Sequence, residues 1–264
     1  MKVSQSKRSR WVYIGLAVML LALLSFSMLP LVSSILKTNL SPVTSSANLA
    51  GISQQERSQL ESEALGYQLV LEREPDNTNA LRGLLETRLK QGDLQGAISP
   101  LERLAQLNSG QSDYTILLAQ AKQQLGDFVG AAAAYQTILV SAPGDMRALK
   151  GMVDLLLVQN RQEEAIGLVQ TTLKNTSQKD GVAAISLQLL LGEIYLNQKR
   201  YPEAIAVYES AIQANQEDFR PVLAKALVLR EQGNSAEAQP LFDKAITLAP
   251  VDYKDQIKAI ATEK

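Results

Sequence analysis

The side chains in this chain that could do acid–base chemistry are carboxylates, lysines and arginines, because it holds neither histidine nor cysteine. That composition removes thiol nucleophiles, disulfides, thiolate metal sites and every histidine-based proton transfer or metal scheme. Several of the charged groups that remain fall into pairs with helical spacing. Arg82 and Glu86 stand four residues apart, as do Lys150 and Asp154. At that spacing an acid and a base share one helix face and satisfy each other. Glu163 and Glu164 occupy an expected helix start, which favours negative charge without any catalytic role. No glycine-rich phosphate loop occurs. Asn175-Thr176-Ser177 matches a glycosylation sequon, which has meaning only in a compartment that glycosylates. The chain therefore reads as non-enzymatic, with no cofactor and no metal.

Charge is unevenly distributed. The formal net charge is −1, but no acid occurs before Glu56. Setting aside Lys2, Lys7, Arg8, Arg10 and Lys37 leaves 21 basic against 27 acidic residues, so the remainder is near −6. An acidic domain with no basic stripe, in a chain with a single Trp, is a poor nucleic-acid binder. The partners to expect are proteins or peptides.

The elements that must carry these residues repeat. Ala97, Ala131 and Ala165 fall 34 residues apart, as do Ala204 and Ala238. Leu101, Tyr135, Val169, Tyr208 and Phe242 stand four residues after each alanine. Gly92, Gly126, Asn160, Lys199 and Gly233 mark the turns, where a left-handed residue ends one helix and the next residue can cap another. Pro75, Pro143 and Pro250 close second helices, while Pro100 and Pro240 fall inside them and each removes a backbone bond. A period of 34 with small residues at fixed slots resembles the tetratricopeptide repeat (TPR), a helix–turn–helix unit. The resemblance implies an all-α solenoid whose helix pairs stack into a binding surface. Its units are expected at 78–111, 112–145, 146–184, 185–218 and 219–250 (78–250 in all). First helices should begin near Thr78, Ser112, Met146, Ile185 and Phe219. The third unit exceeds the period by five residues, because Ala165 to Ala204 spans 39, and a longer loop around Lys174–Gly181 absorbs the excess. Residues 53–77 read as a capping helix with Leu60, Ala64, Tyr67 and Val70 down one side, and 251–264 as a C-terminal cap.

Ahead of the repeats, residues 1–10 form a basic tail and 11–36 an apolar stretch whose Trp11–Leu29 segment carries no charge. A bilayer core of roughly 30 Å needs about 20 such residues in a helix. Trp11 and Tyr13 sit where amphipathic rings prefer the interface. A single transmembrane anchor follows, with the N-terminus cytoplasmic or stromal and the repeats across a thylakoid or plasma membrane. A cleaved signal peptide is the competing reading; its apolar region is shorter, about 7–15 residues, and Ser45-Ser46-Ala47 lies far beyond Leu29. Residues 37–52 are rich in Ser, Thr, Asn, Ala and Pro and read as a flexible tether.

In such a solenoid the first helices line the concave side, and slots 2, 5, 9, 12 and 13 of each unit face the groove. Slot 5 carries Arg82, Ile116, Lys150, Leu189 and Leu223, and slot 9 carries Glu86, Gln120, Asp154, Glu193 and Leu227. The two-carboxylate clamp of chaperone-binding TPR domains resembles a Lys, Asn and Arg set at these slots; slot 9 here is acidic in three of five units. Toward the C-terminal end, Leu157, Val158, Leu189, Leu196, Leu223 and Leu227 fall at groove slots. Two readings stay open: an exposed apolar strip for a hydrophobic peptide or helix, or leucines covered by tighter superhelical packing.

The segments LESEALGYQLVLEREPDNTNALRGLLETRLKQGD, PLERLAQLNSG and DFRPVLAKALVLREQG resemble the membrane-anchored TPR proteins of cyanobacteria and chloroplasts, notably the Slow Green type. That resemblance covers about 59–248 and implies an assembly or biogenesis factor for photosynthetic membranes, acting through protein contacts. The plan of basic tail, single span and repeats also resembles periplasmic TPR proteins that accompany the secretion translocon. On that alternative the chain is a co-chaperone for exported proteins.

Overall fold

A computed structural model describes residues 53–176 and 181–262. The expected basic tail, anchor and tether (1–10, 11–36 and 37–52) lie outside the described residues. Among the described residues no helix is long and apolar enough to cross a membrane.

The described chain forms twelve helices and no strand. A leading helix, α1 (Gln54–Arg73), precedes five helix pairs. The pairs are α2 (Thr78–Lys90) with α3 (Leu94–Leu107), α4 (Asp113–Gln124) with α5 (Phe128–Ser141), and α6 (Met146–Val158) with α7 (Gln162–Asn175). They continue with α8 (Gly181–Asn197) and α9 (Tyr201–Ala214), then α10 (Phe219–Glu231) and α11 (Ser235–Leu248). A final helix, α12 (Val251–Thr262), follows.

Local chemistry sets the boundaries. Gly92, Gly126, Asn160, Lys199 and Gly233 all take positive φ, between 58° and 83°, so each expected turn position is left-handed. Asp93 and Asp127 then cap the second helices, accepting from the backbone N–H of Gly96 and Gly130 at 2.8 Å. Asn77, Asp145 and Asp218 cap first helices in the same way. Pro100 and Pro240 lie inside α3 and α11.

Packing follows the repeat. The alanines at 97, 131, 165, 204 and 238 are all buried, and so are the five bulky residues four positions on. Each helix packs on the next along the chain. First helices also touch each other directly at α4–α6 and α8–α10, while no pair of second helices makes a contact of that extent among the described residues. The first helices therefore lie on the inner side of the stack. At the other end of α1, Leu60 and Ala64 are buried, whereas Val70 is exposed and does not belong to the inward face.

The five-residue excess is not all loop. Helix α7 runs to Asn175 and α8 starts at Gly181, four residues before the expected Ile185. Most of the insertion thus lengthens a first helix, because Val182, Ala183 and Ala184 continue it without a breaker.

Candidate protein-binding groove

The expected groove residues divide by burial. Arg82, Glu86, Gln120 and Asp154 are exposed, Lys150 and Leu157 are half-buried, and Ile116 is buried. Leu189, Leu196, Leu223 and Leu227 are all buried in the core, so of the two open readings the structure has the leucines covered by packing and not an exposed apolar strip. Helices α8 and α10 pack against each other directly, as α4 and α6 do, and the leucines on α8 and α10 are taken out of solvent. Exposed apolar groups at groove slots sit instead in the first three units, at Leu89 and Val158.

The C-terminal end is further closed by α12. Phe219 and Tyr253 stack at 5.5 Å between ring centroids. Arg230 donates from Nη1 to the carbonyl of Ile260 and lies over the Phe242 ring at 5.2 Å.

Of the two expected ion pairs, Lys150–Asp154 forms and Arg82–Glu86 is replaced. Glu86 pairs with Lys90 at 2.8 Å, and Arg82 donates from Nε to the Tyr114 hydroxyl at 2.9 Å, tying α2 to α4. Arg82 and Glu86 thus satisfy other partners. Two residues that slot reasoning passed over join the groove's first turns: Arg147 reaches Asp113 and donates to the Ser112 hydroxyl at 2.9 Å, tying α6 to α4. Their signal in the sequence was a 34-residue spacing between an acid and a base at slot 2. Glu163 and Glu164 are bonded by Arg200 and Arg161 at the start of α7, as solvated surface pairs.

The centre of the groove is built from α6 and α8. Lys150 Nζ stands 3.8 Å from Asp154 on its own helix and 3.8 Å from Glu193 on the next first helix. Both separations exceed the roughly 2.7–2.9 Å of a charge-assisted hydrogen bond, so one ammonium is shared between two carboxylates. Burial pushes the Glu193 carboxyl above its usual range; Lys150 pulls it back and Asp154 pushes it further. Asp154 is shifted up by burial, again opposed by Lys150, although half of its side chain meets solvent. A concave wall leaves a carboxylate reachable by water while protein on several sides weakens its hydration.

Two tyrosines support this floor from the second helices. Burial, with Asp154 adding, pushes the Tyr135 phenol up to about 12. Tyr208 is fully buried, its hydroxyl has no hydrogen-bond partner among the described residues, and burial together with Glu193 keeps it un-ionised. Two carboxylates around one ammonium leave acceptor capacity in excess, which a donor side chain of a bound partner can use. Among the described residues no group of three or more His, Cys, Asp or Glu could hold a metal ion.

A family model described as tetratricopeptide repeat matches residues 73–251. The chain belongs to the tetratricopeptide repeat family. A TPR solenoid is a protein-interaction scaffold, and the inner surface just described is where such a fold meets its partners. The chain is 27% identical over 149 residues to cellulose synthase operon protein C of Pseudomonas fluorescens (strain SBW25). That match covers 54% of this chain, which spans only 12% of the length of that relative. Among solved structures, yeast Tom70 is similar with a TM-score of 0.52 at 14% identity, over 79% of this chain and 42% of that one. MamA from Desulfovibrio magneticus RS-1 is similar with a TM-score of 0.43 at 18% identity, over 65% of this chain and 94% of that one. At these identities the likeness is one of fold alone.

Proposed function

We propose that this TPR protein is a non-enzymatic, membrane-tethered scaffold that holds polypeptide partners against its first helices while membrane complexes are assembled. One observation carries the reading: the shared Lys150 between Asp154 and Glu193, at the centre of the inner surface, with no hydrogen-bonded ion-pair geometry to close it. Around it lie the Arg82–Tyr114 and Arg147–Asp113 ties, polar contacts that a partner's backbone or side chains can extend. The apolar stretch 11–36 supports the tether, since its length suits a bilayer span. The sequence resemblance to the Slow Green type supports a role in photosynthetic membranes.

The test is affinity capture from detergent-solubilised host membranes with the tagged full chain, beside its Lys150→Glu and Asp154→Lys variants. Assembly intermediates of membrane complexes should be enriched by the wild type and depleted by both variants. Enrichment of secretion-translocon subunits instead would move the reading to a co-chaperone for exported proteins, and recovery of neither class would sink it.

A further inference from the structure

Among the described residues, helix α1 lies at one end of the stack and carries an exposed apolar face. Leu60, Ala64, Tyr67 and Leu71 face the solenoid: the first two are buried, and the other two are half-buried, Leu71 against the core of the first unit. On the opposite side runs a ridge of residues spaced by four: Glu61, Leu65, Leu69 and Arg73. All four are exposed, Leu65 and Leu69 by more than half. A terminal unit of a repeat stack ordinarily turns a polar face outward.

Beside this ridge runs a second one, Ser58, Ser62 and Gly66, with little or no side-chain bulk. A Cβ placed on Gly66 would meet nothing within 4 Å. The fold of one copy therefore does not require that glycine, although glycine inside a helix is less favourable than alanine. A bare position next to exposed leucines is suited to close approach of another backbone.

The ridge is also self-complementary. Read in either direction it is charge, leucine, leucine, opposite charge. When two such helices meet antiparallel about a two-fold axis at the level of residue 67, Leu65 of one meets Leu69 of the other. At the same time Glu61 of each meets Arg73 of the other. Among the described residues neither Glu61 nor Arg73 is held in an ion pair within the chain. Rows spaced by four on two helices interdigitate at a crossing of about −50°, each leucine ridge seated over the other's small-residue row.

We infer that the outer face of α1 is an isologous interface with a second copy of this chain. The contact is one helix pair, smaller than the roughly 1,600 Å² of a standard stable interface, so the dimer is weak, with Kd on the order of 10 μM.

The test is sedimentation equilibrium of the full chain in detergent micelles up to about 100 μM, a concentration set by that affinity. Wild type should show reversible dimers, and Leu69→Glu should be monomeric with an unchanged helical CD signal. Glu61→Arg and Arg73→Glu should each weaken dimerisation at least about tenfold, since each sets like charges opposite one another. The double reversal Glu61→Arg/Arg73→Glu should restore it, because the pairing is regenerated with its sign exchanged. A monomeric wild type would mean that this face is covered by the chain's own N-terminal residues or by another protein, and the inference fails. It fails equally if the chain dimerises but the double reversal recovers nothing, or if none of the variants changes the mass.

Discussion

The phenol ring of Tyr135 lies across Gly151, so close that a Cβ on the glycine would stand 2.3 Å from the ring's Cζ. Tyr67 and Gly83 repeat the relationship one period pair earlier, also at 2.3 Å. Between them the same two slots carry Leu101 and Leu117, a smaller knob and a larger partner. Tyr208 departs from the pattern and packs on Gly192 within its own unit, where a Cβ would come within 2.2 Å. Knob size and glycine placement therefore vary together along the stack.

Gly151→Ala should destabilise the solenoid by about 1–3 kcal/mol, the cost of forcing a methyl into a filled core. Tyr135 is buried, which leaves its ring little room to swing aside. Urea denaturation followed by CD reads the effect, and pairing the change with Tyr135→Leu should recover part of the loss. An unaltered midpoint for Gly151→Ala would mean the ring has room to move.

Lys199 is a β-carbon-bearing residue at φ 60°, in a turn position that is glycine in three other units. Left-handed backbone costs an L-residue roughly 1–2 kcal/mol, part of which glycine returns to the more mobile unfolded chain. Lys199→Gly is thus expected to raise stability by up to about 1 kcal/mol, seen as a higher thermal midpoint. Gly126→Ala, at φ 80°, should lower it by a similar amount.

Glu193 makes stability depend on pH in a definite direction. Its folded carboxyl is held above the ordinary value of 4.5 by burial, against the pull of Lys150. The folded state therefore keeps this proton to a higher pH than the unfolded chain does. The contribution is present at low pH and is lost as pH rises from about 4.5 through the folded value. Relative to wild type, Glu193→Gln should gain thermal stability across that window and then hold a constant advantage. A difference between the two proteins that stays flat with pH would show that Glu193 is normally hydrated.

Leu189→Ser, Leu223→Ser and Leu227→Ser should each destabilise the fold by about 2–5 kcal/mol, as large buried side chains do when truncated. Asp154→Asn and Arg82→Ala change exposed side chains, so the helical CD signal should persist while partner capture falls. If the leucine variants kept full stability and lost only capture, those side chains would line the groove after all.

Much of this architecture was readable from local pattern. The buried alanines from Ala97 to Ala238, the left-handed turns from Gly92 to Gly233 and the caps at Asp93 and Asp127 are short-range requirements of helix–turn–helix geometry. Each restricts residue type at its own position, so a period of 34 records them. The helical extension at Gly181 escaped because a run of small and apolar residues suits a loop or a helix end equally well.

The groove was less legible, for a reason that is not local. Leu189, Leu223 and Leu227 occupy slots whose exposure depends on how far neighbouring first helices stand apart, and α8 and α10 stand close enough to bury them. Arg82 and Glu86 had the spacing of a pair, yet Tyr114 and Lys90 offered nearer partners. Residue order alone established a repeat of helix pairs with capped turns and no histidine or cysteine chemistry. Which side chains reach solvent on the inner face, and that Lys150 is shared between Asp154 and Glu193, followed from distances between helices, because burial and pairing are set by neighbours remote in the chain.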